Sequence, residues 1–154
     1  MDHTVLHRRL AADLSTAMVY ALLRLRIEVF VVELDRPYQE LDGQDLARTT
    51  RHFWLAPPDE TEQPQATLRL LEPTEGQFRI DRVCTAATAR HQGGVRRLLE
   101  AALGEIGDAP CVVDTPLDCV ELFGAFGFEV AGAESTVGGV PHMPMRRDAS
   151  ARIR

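Results

Sequence analysis

Apolar residues change their spacing several times along the chain, and each change marks an element. Met18, Leu22, Leu25, Val29 and Val32 recur at helical spacing, which predicts an amphipathic helix opening at Ser15 or Thr16, either of which suits an N-cap. Within it, the β-branched run over residues 27–32 fits a strand or a helix end equally well. Residues 52–56 read as a strand. Residues 65–72 read as its partner, with Ala66, Leu68 and Leu70 alternating against Thr67, Arg69 and Leu71, and residues 78–85 as a third antiparallel strand. The acidic loop 57–64 and the turn 73–76 separate them. Val95, Leu98, Leu99, Ala102 and Leu103 then return to helical spacing.

The second half continues the alternation. Residues 110–114 predict a short buried strand. Thr115-Pro116-Leu117-Asp118 offers a hydroxyl N-cap, a proline at the first position and an acid in the first turn of a helix. That helix carries Val120, Leu122, Phe123 and Phe126 and stops at Gly127. Residues 128–130 and 140–146 read as the last two strands, joined through Gly138-Gly139. At the other end, residues 4–10 form a short first strand interrupted by His7, Arg8 and Arg9, and residues 35–50 a polar loop or short helix punctuated by Pro37 and Asp42-Gly43. The pattern predicts one domain over residues 1–148 and a disordered tail over 149–154.

Composition narrows the function classes. With 154 residues, 45% hydrophobic and 26% charged, the chain describes a soluble globule able to bury one core. A net charge of −6 argues against nucleic acid as a partner and favours a cationic substrate. No apolar run reaches a membrane span, and no basic-then-apolar leader is visible, so the expected location is cytoplasmic with no membrane partner. Cys84, Cys111 and Cys119 are odd in number and lack paired spacing; they are expected to be reduced, buried thiols with no metal.

The chemistry centres on the junction between the third strand and the helix after it, where Arg90, His91, Gln92, Gly93 and Gly94 lie. A glycine-bearing turn at a helix N-terminus presents backbone N–H groups and a positive dipole end, which suits phosphate. Arg90, Arg96 and Arg97 add positive charge nearby. The pattern is neither a P-loop nor a dinucleotide fingerprint, since Gly-Lys-Ser/Thr and GxGxxG are absent. Arg90 and Gly93 do resemble the RxxGxG/A pyrophosphate loop of the GNAT acetyltransferases. Val95 stands where glycine or alanine is usual, and a β-branched residue there is expected to crowd the cofactor.

Residues 22–46, LLRLRIEVFVVELDRPYQELDGQDL, are similar to the N-terminal signature of ElaA-type members of that superfamily. Phe126-Gly127-Phe128 and Gly139-Val140-Pro141-His142 resemble their helix end and GIPH strand. The same RIEVFVVEL run also resembles the start of acyl-homoserine-lactone synthases, against which the RxxG loop and the GVPH end argue. The GNAT resemblance implies a mixed α/β (α+β) fold: a mostly antiparallel central sheet, split by a V-shaped cofactor cleft and flanked by helices on both faces. It further implies acetyl-CoA as co-substrate and acetyl transfer to a primary amine of a small molecule or a lysine side chain. Pantetheine would lie along Val83, Cys84 and Thr85, with a backbone N–H near Val83 polarising the thioester. Arg90, His91, Gln92, Gly93, Gly94, Val95 and Arg96 would hold the diphosphate. The exposed sheet edges of such folds are able to pair in a homodimer.

An amine attacks a thioester only as the free base, so the site must take a proton from an ammonium. Glu33, Asp42, His52, Asp81 and His142 are the candidates. Glu33 follows VFVV at the end of a helix, His52 and His142 begin or interrupt strands near the acceptor cleft, and Asp81 lies two positions from Val83, hence on the same face. Each also has a structural reading, as a solvated helix end, a hydrogen-bonded strand histidine or a partner for Arg79 or Arg82. Phe123 stands where many GNAT enzymes carry a tyrosine that protonates coenzyme A. Tyr38 is an alternative donor. Weak or absent catalysis by a CoA-binding or interaction module is the rival reading.

Overall fold

The computed structural model describes residues 3–148 and shows why β2 (Arg51–Ala56) has almost no polar alternation: both of its faces are covered. Phe53 and Leu55 point into a large core with Ala66, Leu68, Leu70 and Ile80, while Trp54 and Ala56 point into a smaller one with Met18 and Leu22. Helix α2 (Gly94–Ile106) closes the larger core through Leu98, Leu99, Ala102, Leu103 and Ile106. Burying each of the larger side chains stabilises the fold by about 1.5–3 kcal/mol. Helix α1 (Thr16–Ile27) covers the opposite face, and the Ser15 side chain caps it by accepting from the Met18 N–H. The tail expected at 149–154 lies outside the described residues.

The sheet has eight strands in the order β1-β2-β3-β4-β5-β8-β6, with β7 on the edge of β8. Its remaining members are β1 (Val5–Leu10), β3 (Ala66–Thr74), β4 (Gln77–Thr85), β5 (Cys111–Pro116), β6 (Glu129–Val130), β7 (Ser135–Val137) and β8 (Val140–Arg147). All neighbours are antiparallel except β4 and β5. Helix α3 (Val120–Ala125) connects β5 to β6. Among the described residues no helix is long and apolar enough to cross a membrane.

Several local expectations change. The ambiguous run over residues 27–32 becomes a π-helical turn, Glu28–Glu33, that extends α1. Thr115 caps no helix: β5 runs through Pro116, and the buried Thr115 hydroxyl donates to the Pro116 carbonyl. β7 was not expected, because its flanks are small and polar. It forms with β8 a hairpin whose Gly138 and Gly139 both have positive φ.

Asp81 and Val83 do not share a face. Arg69 pairs with Asp81 and Thr67 with Cys84, two steps on β3 (67 to 69) against three on β4 (81 to 84), so β4 carries a bulge, with Arg82 at φ 50°. The bulge turns Val83 onto the α2 side with Ile80 and leaves Asp81 on the α1 side with Arg69. It also bends the strand at the point where the sheet opens.

Candidate active site

β4 and β5 pair in parallel only at Phe78–Cys111 and Arg79–Val112. Beyond that point β4 continues to Thr85 and β5 to Pro116, each still paired on its outer side, to β3 and β8. The two inner edges therefore diverge as a V with peptide groups along each arm. Val83, Cys84 and Thr85 form one arm above the bulge.

At the open end of β4, a single 3₁₀ turn (Ala87–Ala89) leads to the predicted cradle. His91 and Gly93 have φ of 64° and 78°, and Gly93 is the N-cap of α2 with no side chain bonded to the helix start. A turn built on left-handed residues directs successive N–H groups toward one side, the geometry of an anion-binding concavity. The two glycines serve different purposes. Gly93 supplies the positive φ and faces open space, whereas a Cβ on Gly94 would lie 3.2 Å from Leu55 Cδ1, so Gly94 lets the helix start sit against the sheet. Amides with no side-chain cap at the helix start, at the open end of the V, fit the diphosphate and pantetheine of a coenzyme A.

The side chains around the cradle differ from expectation. Val95 packs against the main core, so its branching is spent on the sheet side. Arg96 stacks on Phe126, with its guanidinium carbon 4.8 Å from the ring centroid, and Arg97 donates to the Thr4 hydroxyl at 2.7 Å. Arg90 makes a two-pronged ion pair with Glu33, 2.7 Å on each prong. This hydrogen bonding holds the Glu33 carboxyl below its ordinary range and raises Arg90.

On the α1 face, loop 35–50 is polar yet anchored by buried charge. Arg26, 1% exposed, binds Glu40 at 2.6 Å and the Asp45 carboxylate. Arg69, also 1% exposed, forks onto Asp42 at 2.8 Å and Asp81 at 2.7 Å. Arg82 adds ion pairs to Glu40 at 3.0 Å and Asp42 at 3.3 Å. The hydrogen bonds from Arg69 hold Asp42 far below its ordinary pKa. At Asp45 burial is the largest single influence and opposes ionisation, but the hydrogen bonding from Arg26 and the charges of Arg26 and Arg69 together outweigh it and the pKa falls. The sequence reading missed Arg26, Glu40, Asp45 and Arg69 as a unit. The available signal was Arg26 four positions after Leu22 on the apolar stripe, and Arg69 alternating with buried residues: charges on buried faces require partners.

The network fixes two of the base candidates. Asp81 is engaged by Arg69. His52 is 3% exposed, and its Nε2 lies 2.9 Å from the Asp45 carbonyl, which can only accept, so Nε2 carries the proton. Burial lowers its pKa and keeps the ring neutral. Both side chains anchor the loop.

His142 is placed differently. It sits half-buried on β8, opposite Pro116 at the open end of β5 and Ser135 on β7. Its Nδ1 lies 2.8 Å from the Val140 carbonyl, so Nδ1 donates and the neutral ring keeps its lone pair on Nε2. Nearby, Arg36 and Tyr38 brace the β7–β8 turn. Arg36 donates to the Val137 carbonyl at 2.9 Å, and the guanidinium carbons of Arg36 and Arg82 lie 4.8 and 5.5 Å from the centroid of the Tyr38 ring. A side chain on Gly138 would collide with both Arg36 and Tyr38, so the close approach, as well as its φ of 55°, demands glycine there. Phe123 belongs to the main core. It is buried edge-on against Phe128, with centroids 5.4 Å apart.

A sheet opened between one parallel pair, with an amide cradle at its mouth, is the architecture of the GNAT acyltransferase class. The model of the acetyltransferase (GNAT) domain matches residues 30–149, and the chain belongs to that family. A UPF0039 protein of Mycobacterium tuberculosis is 47% identical over 151 residues, 96% of each chain. Protein ElaA of Escherichia coli is 31% identical over 89% of this chain and 92% of its own. The crystal structure of an acyl-CoA N-acyltransferase from Pseudomonas aeruginosa superposes with a TM-score of 0.86 at 37% identity, over 94% of this chain and 99% of that one.

Proposed function

We propose that this protein is an acetyl-CoA-dependent N-acetyltransferase that moves an acetyl group to a primary amine, of a small molecule or a lysine side chain, by direct attack on the thioester. The observation that carries this reading is the V between β4 and β5 ending at the uncapped start of α2. Acetyl-CoA, when bound, would supply an activated acyl carbon, with coenzyme A as the leaving thiol. The chain supplies amides of residues 92–96 for the diphosphate, the edge of Val83, Cys84 and Thr85 for pantetheine, and the Val83 N–H as the donor to the thioester oxygen.

Direct attack is favoured because no cysteine is fit to carry the acyl group. Burial pushes the Cys84 and Cys111 thiols up to about 12 and raises Cys119 as well, so all three stay protonated. For the proton of the incoming ammonium we assign Nε2 of His142, the lone pair at the open end of β5. The net charge of −6 supports a cationic acceptor, and three free thiols suit the reducing cytoplasm in which we place the reaction.

One observation favours the second reading, a CoA-binding module with weak turnover: Phe123 is in the core, so no phenol at that position meets the leaving thiolate. An ordinary thiol pKa of about 8.5 makes departure as thiolate tolerable. Release of free thiol from acetyl-CoA, measured with a panel of primary amines, separates the two. Amine-dependent release supports the transferase, and retained CoA binding without release supports the module.

A further inference from the structure

The structure joins Arg90 of the diphosphate loop to Glu33, a candidate base at the end of the π-helical turn. Nη1 and Nη2 of Arg90 each lie 2.7 Å from a different carboxylate oxygen of Glu33. Nε and Nη2 also reach the Thr85 carbonyl at 3.2 Å, so the guanidinium spans from the end of β4 to the end of the π-helical turn. Both side chains are partly open, 34% and 41% exposed, so the contact separates without disturbing the core.

Resting on the proposed function, we infer that Arg90 is handed from Glu33 to the diphosphate of coenzyme A, so that cofactor binding uncovers a carboxylate at the mouth of the cleft. Both donor edges of Arg90 are in use, Nη1–Nη2 on Glu33 and Nε–Nη2 on the Thr85 carbonyl, so a diphosphate gains a two-pronged contact only by displacing one of them, and Glu33 is the more exposed partner. Arg90 stands three positions before Gly93, at the start of the turn whose amides would hold the diphosphate, an anion of higher charge than a carboxylate. Glu33 therefore competes with the cofactor for Arg90. The pair lowers apparent cofactor affinity by the fraction of molecules in which Arg90 is engaged. Release leaves the Glu33 carboxylate unpaired at the mouth of the cleft, where it attracts a cationic amine, so cofactor and amine each favour binding of the other.

Calorimetric titration of coenzyme A into the whole protein tests the exchange without any turnover. Glu33→Gln is expected to bind coenzyme A about two- to fivefold more tightly than the unmodified protein, the range in which a well-formed exposed ion pair competes. Arg90→Met is expected to bind more weakly, and the double variant to match Arg90→Met, because Glu33 acts on the cofactor only through Arg90. Equal or weaker binding by Glu33→Gln would overturn the exchange while leaving the cofactor site intact. A double variant that still gains the full factor over Arg90→Met would reduce Glu33 to simple repulsion and overturn it too. No binding by the unmodified protein would overturn the cofactor assignment itself, and the exchange with it.

Discussion

Arg69 and Asp81 are cross-strand partners on β3 and β4, and the guanidinium closes on the carboxylate through two 2.7 Å bonds, Nε to Oδ1 and Nη2 to Oδ2. The same guanidinium holds Asp42 in the loop at 2.8 Å on each prong. One buried side chain thus ties the loop that carries Tyr38 to the strand that lines the cleft. Arg69→Met keeps most of the volume but leaves the carboxylates uncompensated. It is expected to cost about 3–5 kcal/mol in urea unfolding. A loss below about 1 kcal/mol would mean that the network is solvated in solution.

The same face makes stability depend on pH. His52 is neutral when folded and titrates at about 6.5 when unfolded, so the unfolded chain binds more protons as pH falls below that value and stability drops. His7, lowered chiefly by burial, adds to the same slope. Asp42 and Asp45, both depressed, contribute stability that is present above about 4 and is lost as pH falls further. Urea midpoints are expected to fall steadily from pH 7.5 to pH 4. In His52→Gln the decline between pH 6.5 and 5 should be shallower, and an unchanged slope would remove His52 from this account.

His142 and His52 are chemically alike but placed for different work, which their variants should reveal. His142→Gln is expected to lower kcat for amine acetylation about a hundred- to ten-thousandfold while leaving coenzyme A affinity near that of the parent. His52→Gln should lower stability and change kcat far less. A reversed pattern would move the base from β8 to the buried network.

Replacing Phe123 by Tyr tests whether the missing phenol matters. The ring is buried against Phe128, so an added hydroxyl has no water and is expected to cost about 1–3 kcal/mol without raising thiol release. Faster release with a changed pH profile would show that residue 123 reaches the cleft in solution.

The parts of this architecture visible in the sequence are those governed by local periodicity. Alternation in β3 separated Ala66, Leu68 and Leu70 from Thr67 and Arg69, and the spacing from Leu98 to Leu103 defined the buried stripe of α2. The cradle was visible because glycine at a strand-to-helix turn answers a backbone requirement, met here by the φ of 78° at Gly93. What escaped was non-local. A one-residue bulge at Arg82 reversed the facing of Val83, and nothing in FRIDRVCT marks it except its pairing with β3. Loop 35–50 looked solvated because its partners, Arg26, Arg69 and Arg82, lie in other elements. Glu33 and Arg90, 57 residues apart, meet only once α1 and β4 are packed.

A crystal structure with coenzyme A bound tests the central claim most directly. The account predicts a diphosphate on the backbone amides of residues 92–96 and pantetheine running between β4 and β5 beside Val83. A coenzyme seated elsewhere, with those amides facing solvent and the V empty, would contradict it.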